Sequence, residues 1–375
     1  MIKNILFGLL PTIMCMVIVE FISSFFSPKS SVFWDNPMML QYPVERFDQN
    51  ITREKMHFSV DPNRSVRYVP DLSRWYRLDP EPTIPPSEKL IFHFGDSSSW
   101  GWGLTNRGDA YAGVLSNFLP PLVHSINLGV PGYSSLQGLK YLELMLPLYH
   151  ERLLAVTVYF GNNDATENGM SDYQRLDMAI QRNMLTNFYF WLEQRSAFYR
   201  IMRGFISKVN PGNNRIPRVS PDENRANIQS MINLCKKYGV RIILIEPPVH
   251  FSWKPGHLTH TRPLKNDVKN QWVLNELNRA QQLYKQGVAY IHNHNDGYES
   301  SLRNAVEHDW VMSRIKRRWC EVLRSFAGQV DIIRLPIAFI EAEFPYYFTD
   351  YCHPSVRVHK LIARAIARKL NLHKT

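Results

Sequence analysis

Cysteine is scarce in this chain: four residues in 375, Cys15, Cys235, Cys320 and Cys352, with no C-x-x-C pair and no dense spacing. Disulfide-framework domains and zinc ribbons need closely spaced cysteines, so both are excluded. A single Cys235–Cys320 bridge is the one pairing left open. Basic residues are nearly missing ahead of the first apolar run, where Lys3 stands alone and Lys29 comes soon after it; the positive-inside rule therefore sets no orientation. No internal repeat and no low-complexity tract is present. Acidic residues are outnumbered, 33 against 44 Lys and Arg, which leaves a formal charge of +11.

What the chain does have is apolar material, 45% hydrophobic and 13% aromatic. A large core is affordable and disorder of the whole chain is excluded. Residues 5 to 26 form an apolar run interrupted only by Pro11 and Glu20, about the ~20 residues a helix needs to cross a bilayer. The run is longer than the apolar part of a signal peptide, and no A-x-A-like cleavage site accompanies it. An uncleaved N-terminal transmembrane signal anchor over residues 1–30 is the reading, with a cleaved leader as the alternative. Signal anchors export the polypeptide C-terminal to them, which places the body on the extracytoplasmic, periplasmic side of the membrane. The net positive charge suits anionic surfaces, and export argues against nucleic acid as a partner. Two basic clusters, Arg314, Lys316, Arg317, Arg318 and Arg357, Lys360, Arg364, Arg368, recur at helical steps and read as solvated helix faces.

Residues 31–88, rich in Pro, Asp and Arg, read as a stalk and an irregular packing segment,. From 89 to 375 short apolar runs alternate with longer helical stretches, the pattern of an α/β domain with a central parallel sheet. Strands are expected at 89–94, 123–127, 153–160, 240–245 and 329–335. Helices are expected near 109–118, 135–149, 222–238 and 355–371, with an aromatic stretch at 172–206.

Ligands of open parallel sheets bind beyond the carboxyl ends of the strands, and polar motifs stand there in order. The first strand runs into Gly95-Asp96-Ser97, the second into Asn127-Leu128-Gly129-Val130-Pro131-Gly132, the third into Gly161-Asn162-Asn163-Asp164. The fifth leads to Asp350-Tyr351-Cys352-His353-Pro354. A serine hydroxyl becomes a nucleophile when a base takes its proton and an acid orients that base; Ser97, His353 and Asp350 supply the three. Pro354 fits the first position of the helix expected next. An oxyanion needs aimed N–H donors, for which the Ser97 and Gly132 backbones and the Asn163 amide stand ready. Taken singly, these pieces read as turn residues, helix caps or a surface histidine. Four of them in order, each after a separate strand, read as a catalytic set.

At these residues the chain resembles the SGNH (GDSL-like) hydrolases, named for a Ser, Gly, Asn and His in successive blocks. The likeness spans roughly 89–371. It implies a flavodoxin-like three-layer α/β/α sandwich, Ser97 as nucleophile, Gly132 and Asn163 in the oxyanion hole, and Asp350 with His353 as acid and base. The form with an N-terminal membrane segment and an N-L-G-x-P-G-Y block resembles bacterial proteins associated with envelope polysaccharides. Val358 before His359 departs from relatives that carry Gly a few residues after the catalytic His, a position that concerns helix packing. The resemblance further implies acyl-ester chemistry, commonly on acetylated sugars, without a metal or other cofactor.

The expected activity is an esterase acting on acyl groups of a glycan or lipid. An O-acyltransferase served by a membrane acyl-donating partner uses the same residues, and a silent glycan-binding protein keeps the same fold. Two histidine groups, His292, His294, Asp296 and His250, His257, His260, read as polar surface ahead of metal ligands. The segment from Glu246 to Trp253 is expected to line the pocket. Trp100, Trp102, Tyr133, Phe251 and Trp253 are candidates for stacking on substrate.

Overall fold

The computed structural model describes residues 15–25, 66–69, 74–77, 87–105, 107–168, 171–180, 192, 196–199, 201–202, 216–257, 271–335 and 347–372. Five strands form one sheet: β1 (Lys89–Gly95), β2 (Val123–Gly129), β3 (Leu153–Tyr159), β4 (Arg241–Ile245) and β5 (Asp331–Ile333). Their order is β2-β1-β3-β4-β5 and every pairing is parallel. The reversal of strand order beside β1 is the kind of switch point at which α/β sheets open a crevice.

Buried on both faces, the central strands read as near-continuous apolar runs. Alternation along β1 sends Leu90, Phe92 and Phe94 to one face and Ile91 to the other,. The first face is covered by α3 (Ser135–Tyr149), α4 (Pro221–Lys237) and α7 (Arg317–Arg324), through residues such as Leu142, Ile228, Met231 and Trp319. The second is covered by α2 (Tyr111–Ser116) and α8 (Val356–Lys369), through Leu115, Val358, Ile362 and Ile366. Two layers of helix on one parallel sheet give the expected α/β/α sandwich. Capping boxes start α3 (Ser134 with Gln137) and α4 (Ser220 with Glu223, followed by Pro221), each satisfying N–H groups that a helix start leaves orphaned.

Several expectations are corrected. The last strand is three residues long, not seven, and three helices went unread: α7 itself, α5 (Gln271–His292) and α6 (Tyr298–His308). Pro354 lies two positions ahead of α8, whose N-cap is Ser355. All four cysteines are free thiols, so the Cys235–Cys320 bridge is absent. The first basic cluster is a solvated face only in part: Arg317 and Arg318 are exposed, but Arg314 and Lys316 are buried at 2% exposure each. Arg314 pairs with Asp309 at 2.6 Å, and the Lys316 ammonium donates to the Val306 and Asp309 carbonyls. Arg357, Lys360, Arg364 and Arg368 are exposed, as expected.

Within the apolar N-terminal run, residues 15–25 are helical and expose Met16, Val17, Ile18, Val19, Phe21, Ile22 and Phe25. Among the described residues no helix is long and apolar enough to cross a membrane, and the rest of the run lies outside them. Glu20 accepts hydrogen bonds from the Ser196 hydroxyl (2.7 Å) and from the Ala197 N–H. Of the expected stalk, the described parts are residues 87 and 88 and the strands Val66–Val69 and Arg74–Arg77, which pair as an antiparallel ribbon.

Candidate active site

The nucleophile candidate sits where β1 turns sharply into a one-turn helix, α1 in our numbering, Ser97–Trp100. Asp96 caps that turn by accepting the Ser98 N–H at 2.8 Å, and Gly101 closes it in the left-handed region at φ 91°. Two glycines let the turn nest on the strand ends. A Cβ at Gly95 falls 2.4 Å from the Ser99 Cβ, and one at Gly129 falls 2.6 Å from the Trp100 nitrogen. Only glycine permits such approach.

Opposite Ser97 lies the turn before α8. The Thr349 N–H donates to the His353 carbonyl at 2.9 Å, and Phe348 bridges to Pro354. One Asp350 oxygen accepts the backbone N–H groups of Cys352 and His353, both at 2.9 Å, while the other takes the His353 Nδ1–H at 2.6 Å. His353 Nε2 then accepts the Ser97 hydroxyl at 2.8 Å. Burial pushes the Asp350 carboxyl up, but the His353 contact and the two N–H bonds outweigh it and hold the group below its ordinary value. The carboxylate is therefore ionised when the imidazole needs an anion beside it.

The described neighbourhood leaves the backbone N–H groups of Ser97 and Gly132 without a protein acceptor. The Asn163 amide nitrogen donates to the Tyr133 carbonyl at 3.1 Å and, at a longer 3.3 Å, to Asp96. An oxyanion would displace the longer of the two. Asp96 is fully buried, and burial raises its carboxyl to about 6 despite the Ser98 N–H and His353.

Sequence reading missed Arg218, which holds this rim together. Its guanidinium donates to the Gly132 carbonyl at 2.8 Å, to Gln137 at 2.9 Å, and to both oxygens of buried Asp172 at 3.1 and 2.9 Å. Asp172 in turn accepts the Ser134 hydroxyl at 2.6 Å. The Gly132 turn, the start of α3 and the start of the helix Asp172–Ile180 are thus tied to one ion pair. Asp164 adds a second tie: it accepts the Ser135 N–H at 2.7 Å and the Asn224 amide, with its carboxyl raised to about 6 by burial. Behind the triad turn, His250 stacks on Phe348 with ring centroids 4.4 Å apart and donates to the Asp350 carbonyl at 2.8 Å. Arg314 holds the His250 carbonyl at 2.7 Å.

A pocket of about 480 Å³ opens over Ser97, Gly132, Asn163 and His353, walled by Trp102, Thr166, Ser313 and Tyr351 among others. Of the five aromatics singled out from sequence, Trp102 alone lines it. Tyr133 and Trp253 are core residues, at 1% and 5% exposure, and Phe251 lines a neighbouring cavity together with Glu246–Val249. The segment from Glu246 to Trp253 is thereby moved off the pocket wall. Among the described residues, Asp350, Cys352 and His353 are the one group of potential metal-ligating atoms close together. His292, His294 and Asp296 are exposed and ungathered; His257 is engaged by the Pro255 carbonyl, and His260 lies outside the described residues. Burial pushes the Cys352 thiol well above its ordinary value.

Residues 93–361 match the model of the GDSL-like lipase/acylhydrolase family. The chain belongs to that family. This acylhydrolase is accordingly an enzyme of ester-bond hydrolysis, and the match spans Ser97, Gly132, Asn163, Asp350 and His353 alike. Solved structures similar to it include a lipase/acylhydrolase from Enterococcus faecalis, at 16% identity over 76% of this chain and 97% of that one, with a TM-score of 0.36. Another is the psychrotrophic esterase EstA from a Pseudoalteromonas species, at 12% identity over 76% and 97% and a TM-score of 0.36. A third is a catalytic mutant of an acetylxylan esterase from Geobacillus stearothermophilus, at 14% identity over 78% and 98% and a TM-score of 0.35. No curated protein matches the chain by sequence.

Proposed function

We propose that this acylhydrolase is a membrane-anchored serine esterase that removes acyl groups, acetyl first among them, from a cell-envelope or extracellular glycan. The observation that carries the reading is the continuous Asp350–His353–Ser97 relay, with bonds of 2.6 and 2.8 Å. Ser97 Oγ attacks the ester carbonyl while His353 Nε2 takes its proton. The oxyanion collects the Ser97 and Gly132 N–H groups and the Asn163 amide. His353 returns the proton to the leaving alcohol, water enters along the same path, and the acid is freed. If a sugar hydroxyl enters in place of water the same residues perform O-acyl transfer, and a membrane acyl-donating partner then supplies the acyl group. The anchor is supported by the apolar helix at 15–25 and by the length of the run to which it belongs,; export behind such an anchor puts the catalytic domain on the extracytoplasmic side.

Intact-mass analysis of the full chain in detergent after treatment with a serine-directed fluorophosphonate tests the assignment. One adduct is expected on the wild type and none on Ser97→Ala. A folded wild type that takes no adduct overturns the catalytic reading in favour of a silent glycan-binding protein. Acetate release from an acetylated glycan, compared with appearance of the acyl group on an added acceptor, then separates esterase from transferase.

A further inference from the structure

Beside the catalytic pocket, beyond the carboxyl ends of β4 and β5, lies a second cavity of about 620 Å³, a size ordinary for a ligand site. Its lining combines apolar residues, Phe251 and Ile315 among them, with Arg303, Arg317, Arg324 and Arg334, which outnumber the three acids Glu246, Glu307 and Glu321. Glu246, the residue after β4, orders part of that lining. It takes Nε and Nη2 of Arg324 at 2.8 and 2.6 Å and Nε of Arg334 at 3.2 Å. A guanidinium has five N–H donors, so both arginines keep donors unspent. The Arg317 guanidinium has no partner among the described residues; only its backbone N–H is engaged, by Glu307 at 2.8 Å. Arg303 lies over the Phe251 ring at 4.8 Å.

The two cavities share a wall. Ser313 lines the catalytic pocket and Ile315 lines the second cavity. The Ile315 N–H donates to the Asn162 side-chain oxygen at 2.9 Å, and Asn162 itself lines the catalytic pocket. That bond fixes the amide, and its nitrogen is buried at 4% residue exposure with no partner. Guanidiniums gathered around an aromatic side chain suit a ring that bears a carboxylate or phosphate.

Building on the esterase reading above, we propose that the second cavity is an anion subsite: it binds a carboxylate- or phosphate-bearing unit of the same chain whose ester lies at Ser97. The substrate class is therefore an acidic acylated glycan.

Calorimetric titration of the full chain in detergent with oligogalacturonate, with short-chain polyphosphate and with neutral malto-oligosaccharide tests the subsite without turnover. Oligogalacturonate or polyphosphate should bind at least tenfold more tightly than the neutral oligomer. That preference should survive in Ser97→Ala and fall at least tenfold in Arg317→Ala/Arg334→Ala. The anion with the larger loss names the group, carboxylate or phosphate. Turnover of para-nitrophenyl acetate, which is too small to reach the second cavity, should change less than twofold in the double variant and so reports on its folding. Equal binding of acidic and neutral oligomers, or binding indifferent to the two arginines, overturns the subsite. Loss of para-nitrophenyl acetate turnover in the wild type, with the anion preference intact, instead strikes the catalytic reading.

Discussion

Arg218 and Asp350 show how differently two charged residues serve one site. Asp350 acts on the base directly. Replacing it with Asn keeps the shape but offers an amide to His353 Nδ1, so turnover should fall by roughly 10³- to 10⁴-fold with little change in KM, as measured by steady-state kinetics on para-nitrophenyl acetate. Arg218 acts through the backbone, since its hydrogen bond fixes the Gly132 carbonyl and with it the neighbouring N–H that faces the oxyanion. Arg218→Met leaves Asp172 buried and unpaired, at a cost of about 3–5 kcal/mol. Adding Asp172→Leu removes the orphaned charge and should recover most of that stability. Turnover in the double variant should still be down by about 10- to 100-fold with KM nearly unchanged. Recovery of kcat together with thermal stability would show that Arg218 matters for folding alone. Ser97, Gly132, Asn163, Asp350 and His353 were legible because each closes or comes after a strand that the sequence also displays. Arg218 was not, because it meets Gly132 across 86 positions and no local pattern marks such a contact. Asn162 was hidden for a subtler reason: in Gly-Asn-Asn-Asp the resemblance speaks for the second asparagine, and only packing against Ile315 distinguishes the first.

At the level of elements, the strand ends work because glycines clear the space above them. Gly129→Ala puts a methyl group 2.6 Å from the Trp100 nitrogen, so either β2 or the one-turn helix must move. We expect a loss of about 1–3 kcal/mol in stability and a fall in turnover of about tenfold or more, because the helix that moves carries Ser97. Chemical denaturation and kinetics on the same sample check both; a stable variant with full activity would mean that the turn yields without displacing Ser97. The strands β1 to β4 could be read from their apolar runs, since a sheet covered on both faces demands them. β5 was overdrawn because it sits at the sheet edge and only three residues pair. The helices α5 to α7 lie in a chain section dense in polar residues. Their signal was present in the spacing of Val273, Leu277 and Ala280, all buried on one stripe of α5,. The misread basic cluster has a clear cause. Charge at helical spacing signals a solvated face only when no acid waits opposite, and Asp309 waits opposite Arg314.

For the whole molecule, the buried polar groups around the sheet decide how it meets acid. His93, in β1 between its neighbours β2 and β3, bonds Thr157 and Ser125 at 2.8 Å each, and His359 accepts the Tyr111 N–H at 3.0 Å. Burial pushes both imidazoles down to about 3, from an ordinary 6.5. Unfolding frees them to take protons. Their contribution to stability is therefore complete above about pH 6.5 and is lost as the pH falls toward 3. Asp96 and Asp164 have the opposite sign. Burial lifts both to about 6 from an ordinary 3.8, so the folded chain takes up their protons first and gains stability between about pH 6 and 4. The histidines are displaced further from their ordinary values than the aspartates, and Asp350, held low, loses its contribution on the same side as they do. The sum is a protein that weakens on acidification, by roughly 2 kcal/mol between pH 7 and 4. Thermal unfolding across that range should show the midpoint falling as pH falls. Replacing His359 with Gln, which cannot take up a proton, removes about 3 kcal/mol of the acid-side loss and should abolish or reverse the slope in that variant,. A wild-type midpoint that rises toward pH 4 would mean that the aspartates outweigh the histidines, and would move the control of acid stability from the β1–α8 face to the ground beneath Ser97.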